Sequence, residues 1–173
     1  MIARLSALVY FHLREPRLLP VGAAAPPFEA PDQHGRPVRL SDFAGRRLLL
    51  WFFPRALTAG CTVEGCGFRD QLHHFEEFNT EVVGVSFDRV ETNRRFCEVN
   101  HFPYRILSDS ARQIGIRYGA CLNAAASMPK RVSYLIDGQQ RILYCWSKVE
   151  PALHPSQVIN TIYANFYRTF EES

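Results

Sequence analysis

Residues 47–53 (R-L-L-L-W-F-F) form an apolar run bounded by Gly45 and Pro54, and this run constrains the fold more than any other segment. A strand that does not alternate between polar and apolar residues is buried on both faces. Such a strand lies in the middle of a sheet that is covered on each side. The run therefore predicts a central strand of a layered α/β domain.

Signals on either side of this run predict alternating strands and helices. The segment D-Q-H-G-R-P at 32–37 is typical of a turn between two short extended segments. After the run we expect an amphipathic helix from about Cys61 to Phe78, with one apolar face made by Val63, Phe68, Leu72, Phe75 and Phe78. Farther along we expect a strand at 81–87 and a helix that Asp88 caps and that runs to about Asn100. A strand at 104–109 and a helix near 110–118, which Gly119 ends, should follow. The last elements are a hairpin of 132–137 and 141–146 and a helix from Pro155 to about Phe170. This succession predicts an α/β chain with a single thioredoxin-like domain, in which helices flank a central mixed sheet.

The first 18 residues are interpreted as an N-terminal extension, and residues 19–173 as the domain. Apolar residues of the extension recur at helical spacing, which favours a short amphipathic helix that Pro16 would end. His12 and Arg14 interrupt the apolar stretch, so it does not fit a signal peptide, and it is too short for a membrane helix. We therefore expect a cytoplasmic protein without a membrane partner.

Composition narrows the class of function. The 173 residues are 47% hydrophobic, which suffices for one core, and the formal net charge of +3 comes without any basic cluster. Nucleic acid is therefore not expected as a partner. The five cysteines are an odd number in a chain that needs no disulfide scaffold. This usage favours free or redox-active thiols in a reducing compartment.

Cys61 lies where the predicted strand, a tight loop and the start of a helix meet. A thiol in the first turn of a helix faces unpaired N–H groups and the positive end of the helix dipole, and both favour the reactive thiolate. Thr58 can place a hydroxyl beside this sulfur. The alternative is that Cys61 is a small buried apolar residue, and position alone does not separate the two interpretations.

A second cysteine, Cys66, follows five residues later on the same predicted helix. On a regular helix the two Cα atoms lie about 8.7 Å apart and about 140° around the axis. A disulfide normally requires Cα atoms within about 6.8 Å. The pair can therefore bond only if the first turns unwind, which Gly60, Gly65 and Gly67 would make easier. Two such thiols form a redox switch rather than a structural disulfide.

The segment from Phe52 to Asp70 resembles the active site of a peroxiredoxin of the Q type, also called bacterioferritin comigratory protein. Pro54, Thr58 and Cys61 match the family signature Pro-x-x-x-Thr-x-x-Cys, and Cys66 matches a resolving position found in many members. From about residue 19 to the end, further segments are similar to the family: V-G-A-A-A-P-P-F-E-A-P-D-Q-H-G, L-S-D-F-A-G-R-R, V-V-G-V-S-F-D, F-P-Y-R-I-L-S-D and K-R-V-S-Y-L-I-D.

This resemblance implies an antioxidant thiol peroxidase that acts on hydrogen peroxide and organic hydroperoxides without a metal or organic cofactor. Cys61 would attack the peroxide and Cys66 would resolve the sulfenic acid as a Cys61–Cys66 disulfide, which a thioredoxin-like or glutaredoxin-like donor would reduce. The matched residues imply that Thr58 orients thiolate and peroxide, Pro54 shields the pocket and Arg131 stabilises negative charge, while Glu64 steadies that arginine. The resemblance also implies a monomer.

The sequence departs from the family in two places. Ala59 stands where the family commonly has proline, which should loosen the loop slightly. The segment between Gly119 and Arg131 differs from the commonest sequence, which leaves pocket shape and partner preference open.

Other residues and functions receive less support. Cys97 and Cys145 are interpreted as structural or incidental, whereas Cys121 stays open as a second resolving candidate. Cys61, Cys66, His73 and His74 lack the short chelating pair typical of zinc sites. Two alternatives remain: a thiol-based redox sensor, and a catalytically silent thioredoxin-like binding module. The sequence has no Cys-x-x-Cys pair, which argues against a disulfide reductase.

Overall fold

The structure, a computed structural model, describes residues 15–171 of the chain. Along this part of the chain the elements are β1 (Glu29–Pro31), β2 (Pro37–Arg39), a 3₁₀ helix (Leu40–Phe43), β3 (Arg47–Phe52), α1 (Ala59–Asp70), α2 (Leu72–Glu77), β4 (Thr80–Ser86), α3 (Val90–Asn100), β5 (Arg105–Ser108), α4 (Gln113–Arg117), β6 (Val132–Ile136), β7 (Ile142–Trp146) and α5 (His154–Glu171).

The predicted central strand is confirmed as β3. Five strands form one mixed sheet in the order β5-β4-β3-β6-β7, with β3, β4 and β5 parallel and with β6 and β7 antiparallel to their neighbours. Alternate residues of β3 enter different cores: Leu50 and Phe52 belong to one, and Leu49 and Trp51 to the other. The run carries no polar alternation because both faces of the strand are covered.

Different elements cover the two faces of the sheet. On one face, side chains of the β1–β2 hairpin, the 3₁₀ helix and α4 pack together, among them Val38, Phe43 and Ile114. On the other face, α1, α2, α3 and α5 contribute Phe68, Phe75, Phe96, Val158 and their neighbours. This second face carries the helix on which Cys61 and Cys66 lie.

The helix predicted from Cys61 to Phe78 is two helices, α1 and α2, separated at Gln71. The predicted apolar face is wrong at one position, because Val63 is 49% exposed. The buried positions of α1 are Cys61, Glu64, Gly65 and Phe68, which follow the i, i+3, i+4, i+7 spacing of one helical face.

Asp88 does not cap α3, contrary to prediction. The residue that precedes the helix is Arg89, and no side chain caps this end. The carboxylate of Asp88 instead accepts a hydrogen bond from the backbone N–H of Ala56 at 2.9 Å. Asp88 therefore ties the end of β4 to the loop that precedes α1.

Gly119 follows α4 with a φ of 66°, which agrees with its predicted role in ending that helix. A Cβ at this position would also lie 2.3 Å from the carbonyl oxygen of Arg17. Arg17 and Leu18 thus pass directly over Gly119, and Leu18 packs against the first core. Most of the predicted N-terminal helix lies outside the described residues, and the boundary at residue 18 stays a prediction. Between residues 15 and 171 the chain forms no helix with the length and hydropathy that a membrane crossing requires.

Candidate active site

Cys61 lies in the first turn of α1, as the sequence predicted. The chain leaves β3 at Phe52, turns through residues 53–58 and enters α1 after Thr58, whose φ of −91° and ψ of 155° are those of an extended N-cap residue. The Cys61 side chain is only 1% exposed. Its sulfur is therefore held at a helix N-terminus and largely out of water, where unpaired N–H groups favour a negative charge.

Arg131 reaches the same sulfur from the neighbouring strand. It immediately precedes β6, whose first residue, Val132, pairs with Phe52 at the end of β3. The guanidinium Nη2 of Arg131 donates to the Sγ of Cys61 at 3.3 Å. Antiparallel pairing thus places a fixed positive charge at the sulfur, where it can interact with negative charge that develops during a reaction.

Glu64 holds the other side of the guanidinium. This carboxylate is fully buried one turn after Cys61 and forms an ion pair with Nη1 of Arg131. Burial raises the pKa of Glu64 to about 7, an effect that the charge and hydrogen bond of Arg131 only partly offset. Burial by itself would lower the pKa of Arg131, but the nearby Glu64 and Cys61 outweigh it and the net shift is upward.

Thr58 and Pro54 lie in the loop before α1, close to Cys61 in sequence. The hydroxyl of Thr58 donates to the carbonyl of Arg55 at 2.8 Å, so its hydrogen atom is directed into the loop rather than at the sulfur. Pro54 is half-buried where β3 ends. Leu57 has a φ of 64°, a strained value for a residue with a side chain. The bond from Ala56 N–H to Asp88 holds this strained turn.

Cys66 lies on α1 with Cys61, which confirms the premise that both thiols share one helix. Its thiol is half-buried and is directed at the Oδ1 of Asn100, 3.7 Å away. Both cysteines are free. The pair therefore has the arrangement that prevents a disulfide while the helix is intact.

His154 adjoins this site, although it is not among the site residues predicted from the sequence. It begins α5, and its side chain is fully buried. Its Nε2 lies 2.9 Å from the Oγ of Ser133 and 4.0 Å from the Oε1 of Glu64. Burial lowers the pKa of His154 to about 4, and the charge of Arg131 acts in the same direction. No local sequence pattern could have revealed this contact, which joins α1, β6 and α5.

The remaining thiols lie in surroundings that disfavour ionisation. Burial raises the pKa of Cys97 on α3 to about 12, with smaller contributions from Glu98 and Asp32. Burial also raises the pKa of Cys121 and of Cys145. Within residues 15–171, no three His, Cys, Asp or Glu side chains are grouped as a metal site would require.

Comparison with known proteins gives one consistent result. The family model described as AhpC/TSA family matches residues 21–145 of the chain. The chain is 34% identical to Peroxiredoxin Bcp of Escherichia coli over 147 residues, which cover 82% of this chain and 94% of that protein. It is 32% identical to the chloroplastic Peroxiredoxin Q of Sedum lineare, over 82% of this chain and 76% of that one.

A solved structure agrees with the sequence comparisons. The peroxidoxin BcpB of Mycobacterium tuberculosis superposes with a TM-score of 0.78 at 33% identity, over 83% of this chain and 96% of that one. The fold, the family match and the two relatives point in one direction. The chain therefore belongs to the AhpC/TSA family and is a peroxiredoxin of the Bcp and Q group, a thiol-dependent peroxidase.

Proposed function

We propose that the Cys61 thiolate carries out the peroxidase reaction, on hydrogen peroxide and on organic hydroperoxides. The sulfur attacks the terminal oxygen, the O–O bond breaks, and the leaving alkoxide or hydroxide takes up a proton to give alcohol or water. Cys61 is left as a sulfenic acid. The observation that carries this proposal is the 3.3 Å contact between Arg131 Nη2 and Cys61 Sγ at the start of α1.

The surrounding residues support this chemistry through charge and position. Arg131 supplies a donor where negative charge develops during O–O cleavage, and Glu64 fixes the direction of that donor. Because the hydroxyl of Thr58 donates its hydrogen to the carbonyl of Arg55, its oxygen can act as an acceptor for a hydrogen bond from the peroxide. Pro54 limits the access of water to the pocket.

The second half of the cycle is assigned to Cys66. Its thiol attacks the sulfenic sulfur, the S–S bond forms, and the sulfenic oxygen leaves as water. A thioredoxin-like or glutaredoxin-like donor then reduces the Cys61–Cys66 disulfide by exchange. We further propose that the protein works as a cytoplasmic monomer in antioxidant defence, with no nucleic acid or membrane partner.

Stopped-flow measurement of peroxide consumption tests this function. Without a donor, the reduced protein should consume about one peroxide per Cys61 and then stop. With thioredoxin, thioredoxin reductase and NADPH, turnover should continue. Consumption by a Cys61→Ser protein at the wild-type rate would contradict the assignment of the nucleophile.

A further inference from the structure

The second half of α1 is held by the segment at residues 100–104. The hydroxyl of Tyr104 donates to the carbonyl oxygen of Gly65 at 2.7 Å, across 39 residues of sequence. Nearby, Arg69 Nη1 donates to the carbonyl of Asn100 at 2.6 Å. The half of α1 that carries Cys66 is therefore tied to the 100–104 segment rather than to Arg131.

Tyr104 is itself firmly placed. Its ring stacks on Phe102 with centroids 5.1 Å apart, and its side chain is only 6% exposed. The amide of Gln33 donates to the carbonyl of Tyr104 at 3.2 Å and its oxygen accepts from the N–H of Ile106 at 3.0 Å, which fixes the backbone around the tyrosine. The hydroxyl thus acts from a rigid support.

Gly65 is what permits this close approach. A Cβ at Gly65 would lie 2.5 Å from Phe102 Cζ and 3.2 Å from the hydroxyl of Tyr104. In the same way, a Cβ at Gly67 would lie 2.7 Å from Pro155. In the reduced protein, Gly65 and Gly67 therefore allow α1 to pack closely against Phe102, Tyr104 and Pro155. This role is separate from their effect on how easily the helix unwinds.

The two halves of α1 have different contacts, and the reaction changes only one of them. Conversion of the Cys61 thiolate to a neutral sulfenic acid removes the negative charge that faces the Arg131 guanidinium. The bond between Tyr104 and Gly65 does not change in that step. Because Gly65 lies between the two cysteines, the turn that must open for Cys61 to meet Cys66 still has this hydrogen bond to break.

We propose that Tyr104 is a positioning residue whose hydroxyl, through the Gly65 carbonyl, sets the rate of the resolving step. This proposal rests on the proposed Cys61–Cys66 disulfide. Slower opening prolongs the life of the sulfenic acid, which a second peroxide molecule can oxidise to sulfinic acid with release of water or alcohol. Tyr104 thereby also sets how readily excess peroxide inactivates the enzyme.

Tyr104→Phe is the direct test, because it keeps the ring and removes only the hydroxyl. Rapid-quench alkylation with mass spectrometry gives the rate of disulfide formation, and stopped-flow peroxide consumption gives the rate of the first step. We expect disulfide formation to become about fivefold faster, since one hydrogen bond of ordinary strength is lost from the closed state. The first step should stay unchanged, and less sulfinic acid should form in excess peroxide.

Tyr118→Phe is the matched control. Tyr118 is also a buried tyrosine, and its hydroxyl donates to the carbonyl of Pro26 at 2.8 Å, but it belongs to the core on the other face of the sheet. This variant should resolve at the wild-type rate. A Tyr104→Phe protein that consumes peroxide normally and forms the disulfide no faster than wild type would overturn the role of Tyr104 alone.

A measurement on the wild-type protein decides the question if Tyr104→Phe fails to fold. The N–H of Arg69 is the helical partner of the Gly65 carbonyl, so its hydrogen exchange reports on that carbonyl. We expect Arg69 to lose protection when the disulfide forms. Full protection of Arg69 in the disulfide form would overturn the proposal, whereas a wild-type protein with no Cys61–Cys66 disulfide would refute the resolving step itself.

Discussion

Arg131 donates a hydrogen bond to the sulfur of Cys61 at 3.3 Å, although 70 residues separate the two in the chain. The contact exists because β6 pairs with β3, so that the residue before one strand lies beside the loop that follows the other. A guanidinium at this position acts on the charge of the thiolate and on the charge that develops as the O–O bond breaks.

Replacement of Arg131 should therefore slow the attack on peroxide without removing the nucleophile. We expect Arg131→Met to lower the second-order rate constant by about a hundredfold. Arg131→Lys should lower this rate constant less, because it keeps the positive charge. It should still be slower than wild type, because it lacks the planar guanidinium that contacts both Cys61 and Glu64. Peptide-resolved alkylation at neutral pH should show slower reaction of Cys61 in Arg131→Met. Unchanged alkylation would place Arg131 outside the site.

The control for this experiment addresses stability. Arg131→Met leaves the buried carboxylate of Glu64 without its ion-pair partner, which by itself is strongly destabilising. The double variant Arg131→Met with Glu64→Gln replaces that unpaired charge with a neutral amide. It should regain stability while its reaction with peroxide stays slow, which separates the effect of charge on the thiolate from a loss of fold.

Cys61→Ser should abolish peroxide reduction, because a hydroxyl is scarcely ionised near neutral pH. The two side chains are close in size, so we expect the fold to persist, which circular dichroism would check. Cys97→Ser is the comparison, since the raised pKa of Cys97 keeps that thiol neutral. It should retain the wild-type rate of the first step. More than a few per cent of activity in Cys61→Ser would refute the assignment.

Glu64 should contribute less to the free energy of unfolding as pH rises. Its pKa in the folded protein, about 7, lies above the ordinary 4.5, so the folded state keeps a proton that the unfolded state releases between these values. Stability from this group is thus greatest at low pH and is lost as pH rises toward 7. The free energy of unfolding of wild type minus that of Glu64→Gln should fall with pH across this window, by up to about 1.4 kcal/mol per unit.

The quantity to measure is the difference in the free energy of unfolding between wild type and Glu64→Gln, because His154 changes stability with pH in the opposite direction. Its pKa is lowered to about 4, so its contribution is lost as pH falls below the ordinary 6.5 and would hide the Glu64 effect in wild type alone. Denaturant unfolding at several pH values supplies the comparison. A difference that rises with pH between about 4.5 and 7 would contradict the raised pKa of Glu64.

The N-terminal extension should be dispensable for the reaction, but its last residues should contribute to stability. Removal of residues 1–14 is expected to leave the rate with hydrogen peroxide unchanged. Removal of residues 1–18 also deletes the half-buried Leu18, and should cost about 1 kcal/mol of stability at the same rate. A large loss of rate in either protein, while it remains folded, would show that the extension contributes to the site.

Much of the fold followed from the sequence because β3 is buried on both faces and short-range patterns mark its neighbours. The placement of Cys61 and Cys66 on one helix was likewise predictable, because their spacing of five residues can be read directly from the sequence. The contacts of Tyr104 with Gly65 and of His154 with Glu64 were not, because each joins elements far apart in the chain. The hydrogen bond of Asp88 with the N–H of Ala56, in place of the predicted helix cap, could not be predicted either. A carboxylate at a strand end has several N–H groups within reach, and the sequence does not show which of them it binds.

The reaction cycle itself makes the last prediction, an intramolecular Cys61–Cys66 disulfide in the peroxide-treated protein. Because the intact helix holds the two Cα atoms about 8.7 Å apart, the bond requires local melting of α1 around residues 61–67. Peptide mapping should find the two cysteines linked within one chain. Cys66→Ser should still consume one peroxide but should accumulate a sulfenic acid that dimedone traps, and it should become inactivated at lower peroxide concentrations. If Cys61 is instead found bonded to Cys121, or to a second chain, Cys66 is not the resolving residue, and the attack by Cys61 on peroxide still stands.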